Sequence, residues 1–277
     1  AVAALEGGYG TVVTASGLSA ISVALGALVS AGDHILISDS VYGPTRTFCN
    51  QVLSRYGITT EYYAPDIGGA IAELIRKNTR LVFMEAPGSL TFEMQDIPGI
   101  TRATKEKGVL TLMDNTWATP IFFRPLEHGV DVSIQAGTKY IAGHSDLVIG
   151  MITSSREVTH RMMVSHAHNL GDAASPDDSF MALRGLRTLS VRLYRQQESA
   201  FKVASWLVEQ PQVYRVLYPA LAGDPGHALW KRDFTGASSL FGLAIHSEDE
   251  TAVKAMVDSL QYFQIGSPWG GYESLIA

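Results

Sequence analysis

From Gly17 to Met151 the hydrophobic positions switch repeatedly between helical spacing and short continuous runs. Residues 17–30 (GLSAISVALGALVS) carry apolar side chains at helical spacing and halt before Ala31-Gly32-Asp33, which predicts a helix with a turn after it. The run HILIS at 34–38 is short, apolar and bounded by Asp33 and Asp39, as a strand would be. The same criteria predict helices over 44–56, 67–77 and 97–107. They predict strands over 59–64, within RLVFMEAP at 80–87, and over 109–114, 130–136 and 147–153. These strands are β-branched and apolar on both sides of the alternation, the signature of strands buried on both faces of a mostly parallel sheet. Their alternation with helices predicts an α/β domain with helices covering each face.

The stretch 175–209 predicts one long helix, with Gly185 inside it and Pro211 as its stop. After Pro211 the runs VYRVLYP and SSLFGLAIH and a helix over 249–259 predict part of a smaller α+β domain. The boundary falls near residue 210, giving domains over 1–210 and 211–277. The opening AVAALEGG reads as the end of a helix running to a glycine stop, and both ends of the chain read as interior to a longer one.

Composition narrows the function classes. Only 17% of the 277 residues are charged, against about 25% for an average soluble domain, so much surface is expected to lie in a core or between subunits. The net charge is −6 and no stretch interleaves Lys and Arg with aromatics, which argues against nucleic-acid binding. No apolar run approaches the roughly 18 residues of a membrane span, and no basic-then-apolar leader opens the chain. The single cysteine, Cys49, has no intrachain partner, which fits a reducing, cytoplasmic setting and a small buried hydrophobe.

Open α/β sheets bind ligands at the carboxyl ends of their strands. Asp114 ends VLTLMD, Lys139 follows VSIQA, Glu85 through Ser89 follow LVFM, and Ser38, Asp39 and Tyr42 follow HILI. Each alone reads as a solvated rim or a salt bridge; their joint placement points to a site. The turn Ala15-Ser16-Gly17-Leu18 opens the first helix, where free amides can hold a phosphate, although Ser16 also suits a simple N-cap. GYGTVV resembles part of a dinucleotide fingerprint, but Val13 stands where the third glycine belongs and lies too far ahead of the helix. A nicotinamide cofactor is the poorer reading. His166 and His168 lack a third ligand nearby, so no metal site is expected.

With Ser16-Gly17-Leu18, Tyr42-Gly43, Asp114-Asn115-Thr116, Thr138-Lys139-Tyr140 and Gly143-His144-Ser145-Asp146 in this order, the chain resembles the fold-type-I pyridoxal-phosphate enzymes of trans-sulfuration. The likeness covers essentially the whole chain, and DVSIQAGTKYIAGHSDLVIG at 131–150 is similar to that family's cofactor-lysine signature. QAGTKY, the run EAPGSLTFEMQD and Ser267-Pro268-Trp269-Gly270-Gly271 look most like its β-lyase branch; γ-type members usually carry Leu beside that Gly-Gly.

The resemblance implies pyridoxal phosphate (PLP) as cofactor, linked to Lys139, and a PLP-transferase-like large domain. It implies Asp114 at the pyridine nitrogen, Tyr42 on the ring face, and Ser16, Gly17, Leu18 and Thr138 at the phosphate. Trp269 would line the substrate pocket, and Lys139 and Tyr42 would move protons. The implied reaction is β-elimination from cystathionine or a related thioether, giving a thiol, pyruvate and ammonia. γ-Elimination on the same fold, or a catalytically silent assembly module, are the competing readings. The family's shared sites imply a homodimer or homotetramer, with a Tyr-x-Arg pair and a carboxylate-binding arginine lying outside these residues.

Overall fold

Seven strands form one sheet in the order β1-β7-β6-β5-β4-β2-β3 in the computed structural model, which describes residues 1–247 and 249–277. After a short helix α1 (Val2–Glu6), strand β1 (Gly10–Thr14) leads into α2 (Gly17–Leu28) and β2 (His34–Ser38). Helix α3 (Gly43–Gln51) precedes β3 (Thr59–Tyr63) and β4 (Thr79–Glu85). Helix α4 (Ile97–Glu106), β5 (Leu110–Asp114), α5 (Thr119–Phe122), β6 (Val132–Ala136) and β7 (Gly150–Ser154) complete this layer. Strands β3, β2, β4, β5 and β6 are parallel, and β7 alone runs against its neighbours. Because β1 is antiparallel to β7, it runs with the parallel set, and its end reaches the same rim as theirs.

The two-faced burial expected of these strands is present. Along β2 and β4, Leu36, Val82 and Met84 join one apolar cluster, while Ile35, Ile37, Leu81 and Phe83 join another. The second cluster is closed by α2 and includes Ala20, Ile21, Ala24 and Leu25 from that helix. Side chains of this size contribute about 1.5–3 kcal/mol each when fully buried, so the central strands hold the layers together.

Beyond β7 come α6 (Glu157–Leu170), α7 (Pro176–Leu186) and α8 (Leu189–Val208). Strand β8 (Val213–Leu217), α9 (His227–Asp233), β9 (Gly242–Ile245) and α10 (Glu250–Asp258) follow, with β8 and β9 in a separate antiparallel pair. A two-residue parallel pair, β10 (Gln264–Ile265) and β11 (Leu275–Ile276), ends the chain. Among the described residues no helix is long and apolar enough to cross a membrane.

Five local expectations need correction. The segment 67–77 is not an α-helix but 3-10 turns over Pro65–Glu73, broken at Gly68, whose φ is 50° and ψ −136°; glycine enters such a conformation without steric cost. The helix expected over 44–56 ends at Gln51 and is followed by a 3-10 turn, Leu53–Tyr56. The long helix over 175–209 is two helices, because the carbonyl of Gly185 is taken by Arg192 and by the Thr188 hydroxyl instead of continuing the ladder. The last large-sheet strand begins at Gly150 rather than at 147, since Ile149 bonds through both its backbone groups to Thr138. Finally, GTVVT, weighed only as a nucleotide fingerprint, is the edge strand β1.

One core group titrates in the working range. Glu6 is fully buried; its Oε1 accepts bonds from Ser133 Oγ and Gln135 Nε2, both at 3.0 Å, while Oε2 has no partner among the described residues. Burial pushes its carboxyl from an ordinary 4.5 to about 7, against the opposing pull of those bonds and of Arg124. A raised carboxyl favours the protonated folded state, so stability is unaffected below pH 4.5 and falls as pH rises toward 7. The full loss, on the order of 3 kcal/mol, is present above about pH 7. Glu6→Gln keeps the accepting oxygen and removes the charge. We expect it to flatten the melting-temperature profile across that window and to raise Tm at pH 8; identical profiles for both proteins would refute this assignment.

Candidate active site

The rim at the carboxyl ends of the parallel strands collects the turns predicted to carry chemistry. The turn after β1 holds Ser16 to Leu18, that after β2 holds Tyr42, β4 and β5 end in Glu85 and Asp114, and Thr138-Lys139 follow β6. Gly150, the first residue of β7, pairs with Thr14 on one side and Ala136 on the other. A Cβ at Gly150 would lie 2.0 Å from the Ser16 carbonyl oxygen, and one at Gly17 would lie 2.7 Å from the Cβ of Ala136. The first turn of α2 can therefore lie flat against the strand that leads to Lys139 only because both positions are glycine.

At that turn Ser16 is a true N-cap: its Oγ accepts the amide of Ser19 at 3.0 Å. The amides of Gly17 and Leu18 lie in the first helical turn, where no intrahelical acceptor exists. The same helix start already attracts one anion. Asp172 accepts the Ala15 amide at 2.9 Å and the Ser19 hydroxyl. The Thr138 hydroxyl accepts the Ile149 amide at 3.0 Å, which leaves its own proton to choose between the Ile149 carbonyl and an incoming anion.

Asp114 is buried, and its Oδ1 accepts the Thr116 amide at 2.9 Å. Burial pushes its carboxyl above the ordinary range, although bonds from Thr116 pull the other way. Among the described residues no cation pairs with it. Lys139 likewise makes no salt bridge among the described residues, and burial lowers the affinity of its amine for a proton. Its Nζ stands 4.9 Å from the centroid of the Trp269 ring, which in turn tilts against Tyr140 at 5.4 Å. Gly270, with φ of +88°, lets this segment press on the Lys139 backbone, and Gln196 Nε2 holds the Gly271 carbonyl at 2.9 Å. Residues 130 positions apart in sequence are thus brought together.

Two contributors escaped the sequence reading. Arg192, half-buried on α8, donates to the carbonyls of Tyr140 (2.8 Å), Ile141 (3.2 Å) and Gly185 (2.9 Å), clamping the turn that follows Lys139. It carries no local motif, and only the packing of α8 against that turn reveals it. Glu85 was seen only as one polar residue of the rim, whereas its Oε2 accepts the backbone amide of Tyr42 at 2.8 Å. Tyr42 itself is 44% exposed on the rim.

The residues fit a phosphorylated pyridine aldehyde. An amine whose hold on its proton is weakened by burial can bond to an aldehyde, a buried unpaired acid can meet a ring N–H⁺, and free helix-start amides can meet a phosphate. Comparison with known proteins agrees. The model of the Cys/Met metabolism PLP-dependent enzymes matches residues 1–277. This chain belongs to that family. Its cofactor is pyridoxal phosphate, its substrates are small amino acids, and the enzyme is a PLP-dependent lyase.

Cystathionine β-lyases recur among the curated relatives at 41–43% identity. That of Salmonella typhimurium is 43% identical over 100% of this chain and 70% of its own length. An L-alanine/L-glutamate racemase of Wolbachia pipientis is 42% identical over 100% of this chain and 68% of its own. Among solved structures, the cystathionine γ-synthase of Xanthomonas oryzae superposes with a TM-score of 0.95 at 34% identity, covering 98% of this chain and 70% of that one.

Proposed function

We propose that the protein is a carbon–sulfur β-lyase that converts L-cystathionine, or a cystine-like thioether, and water to a thiol, pyruvate and ammonia; with cystathionine the thiol is homocysteine. The observation that carries the reading is Trp269 over the Lys139 amine at 4.9 Å, where γ-type members of the family usually carry Leu. The recurrence of cystathionine β-lyases among the relatives supports it.

Bound PLP supplies an electron sink that makes the substrate Cα–H acidic and lets the Cβ–S bond break. Lys139 would hold the cofactor aldehyde through its amine, and the same amine would take the substrate Cα proton; general acid–base help of this kind contributes about 10²–10⁴-fold. Asp114 would keep a proton on the ring nitrogen. The Gly17 and Leu18 amides would hold the phosphate, with Thr138 turning its hydroxyl to it, while Ser16 fixes the helix start that presents those amides. Tyr42 would lie against the ring, and its hydroxyl would assist proton transfer at the substrate amine or the departing sulfur. Trp269 shapes the wall of the substrate pocket. Residues 211–277 begin a smaller domain that closes one side of it, and the enzyme works in the cytoplasm as a homodimer or homotetramer.

The γ-synthase neighbour supports a second reading, γ-chemistry on the same frame, and the racemase relative a third. Product analysis on the full-length holoenzyme separates them. β-Elimination from L-cystathionine yields pyruvate and homocysteine, γ-elimination yields 2-oxobutyrate and cysteine, and racemisation converts L-alanine to its mirror image. Pyruvate as the dominant product, at a rate above those of the other two, is expected; 2-oxobutyrate or D-alanine in excess would overturn the proposal.

A further inference from the structure

We infer that Glu85 is the positioning residue for Tyr42: its side chain fixes the backbone of the turn that lays the Tyr42 ring over the cofactor. The inference rests on the placement of Tyr42 proposed above, and goes beyond it by naming what holds that ring in place.

Tyr42 begins α3 as its N-cap residue and makes no side-chain cap bond, so the helix start does not itself fix the ring. The Tyr42 amide points into the rim, where Glu85 Oε2 accepts it at 2.8 Å. Glu85 can do this because it is the last residue of β4, in register with Asp114 at the end of β5 and one strand from β2. The turn after β2 is held to the segment after β4 at two further points. Ser89 donates its amide to the Ser40 carbonyl at 2.8 Å, and Gln95 Nε2 donates to Ser38 Oγ at 3.2 Å. Gln95 Nε2 also takes the Glu85 carbonyl at 2.7 Å, fixing the backbone from which the Glu85 side chain departs. Of these three tethers, Glu85 alone reaches Tyr42.

Burial and the neighbouring Asp114 both push the Glu85 carboxyl well above the ordinary range, against the opposing pull of the Tyr42 amide. Protonated or ionised, the Glu85 carboxyl has an oxygen that accepts the Tyr42 amide. The role thus needs an accepting oxygen, not a charge. Glutamine supplies that oxygen; alanine does not.

The test compares Glu85→Gln, Glu85→Ala, Tyr42→Ala and the double variant Glu85→Ala/Tyr42→Ala in the full-length protein. In the apoprotein, Glu85→Ala should speed hydrogen exchange of the Tyr42 amide at least tenfold, and Glu85→Gln should leave it within about threefold. In the PLP-loaded protein without substrate, Glu85→Ala should lose most of the visible circular dichroism of the bound cofactor, as Tyr42→Ala does. The double variant should show no further loss. In turnover, Glu85→Ala should lower kcat at least tenfold with KM changed less than threefold, and Glu85→Gln should restore most of kcat. Additive losses in the double variant, or Glu85→Gln as impaired as Glu85→Ala while equally folded, would overturn the inference. Amide exchange and the cofactor band are read without substrate, so a wrong assignment of the reaction would show in the products and leave this test standing.

Discussion

Lys139→Arg should abolish turnover, lowering kcat by at least about 10³-fold, and should eliminate covalent capture of the cofactor. The amine of Lys139 is taken from water on a rim where no acid pairs with it among the described residues, so burial alone sets the direction of its shift, toward the neutral amine. The Trp269 face at 4.9 Å opposes this by favouring a cation; such contacts are worth only about 0.5–1 kcal/mol at partly exposed sites. A neutral amine is both a nucleophile toward an aldehyde and a base toward the substrate Cα–H. A guanidinium is neither, because it stays protonated at any working pH. The substitution preserves positive charge and roughly the side chain's length, so loss of activity cannot be assigned to charge. Borohydride reduction followed by peptide mass analysis should place the pyridoxyl group on Lys139 in the natural protein and nowhere in the variant. Pyruvate release by Lys139→Arg at a rate comparable to the unsubstituted enzyme would remove Lys139 from the mechanism.

The parallel strands were legible because their code is simple: four to seven apolar residues between turn formers. HILIS, LVFME and LTLMD fall where that code placed them. Their ends placed Glu85, Asp114 and Lys139 at one rim, since parallel strands share a direction. What stayed hidden depends on contacts between distant segments. Nothing local marks Gly185 as the end of a helix; its carbonyl is captured by Arg192 from the next one. Nor does GTVVT signal a strand strongly, because β1 is an edge strand that is only partly buried, with Val13 facing outward. The segment 67–77 has helical apolar spacing and does pack on the core through Ile67, Ile71 and Leu74, but Gly68 and Gly69 weaken a helix by about 1 kcal/mol each, and Gly68 breaks it. The function-bearing residues were visible as types at strand ends. Their partners were not, since the bond from Tyr42 to Glu85 joins positions 43 residues apart.

Asp114→Asn should change the stability of the empty and the loaded protein in opposite directions, while reducing kcat about 10²-fold or more. In the apoprotein Asp114 is a buried carboxyl whose folded form is held above the ordinary range by burial. A raised carboxyl costs folded stability as pH climbs past the unfolded value, because the unfolded chain ionises freely and the folded one resists. Asparagine keeps an oxygen for the Thr116 amide, bound now at 2.9 Å, and removes that cost. The apoprotein of the variant should therefore melt at or above the temperature of the unsubstituted apoprotein at pH 8. PLP reverses the order. With a protonated ring nitrogen against it, the ionised Asp114 is paired; breaking such a buried pair costs about 3–5 kcal/mol, so the cofactor should bind roughly 10²-fold or more weakly to the variant. The Tm gain on loading, large in the natural protein through preferential binding to the folded state, should shrink accordingly. Turnover falls because an amide cannot hold the ring proton that makes the cofactor an electron sink. Calorimetry of both proteins, with and without PLP, reads all of this in one series. An equal Tm gain on loading for the two proteins would show that Asp114 does not face the ring nitrogen.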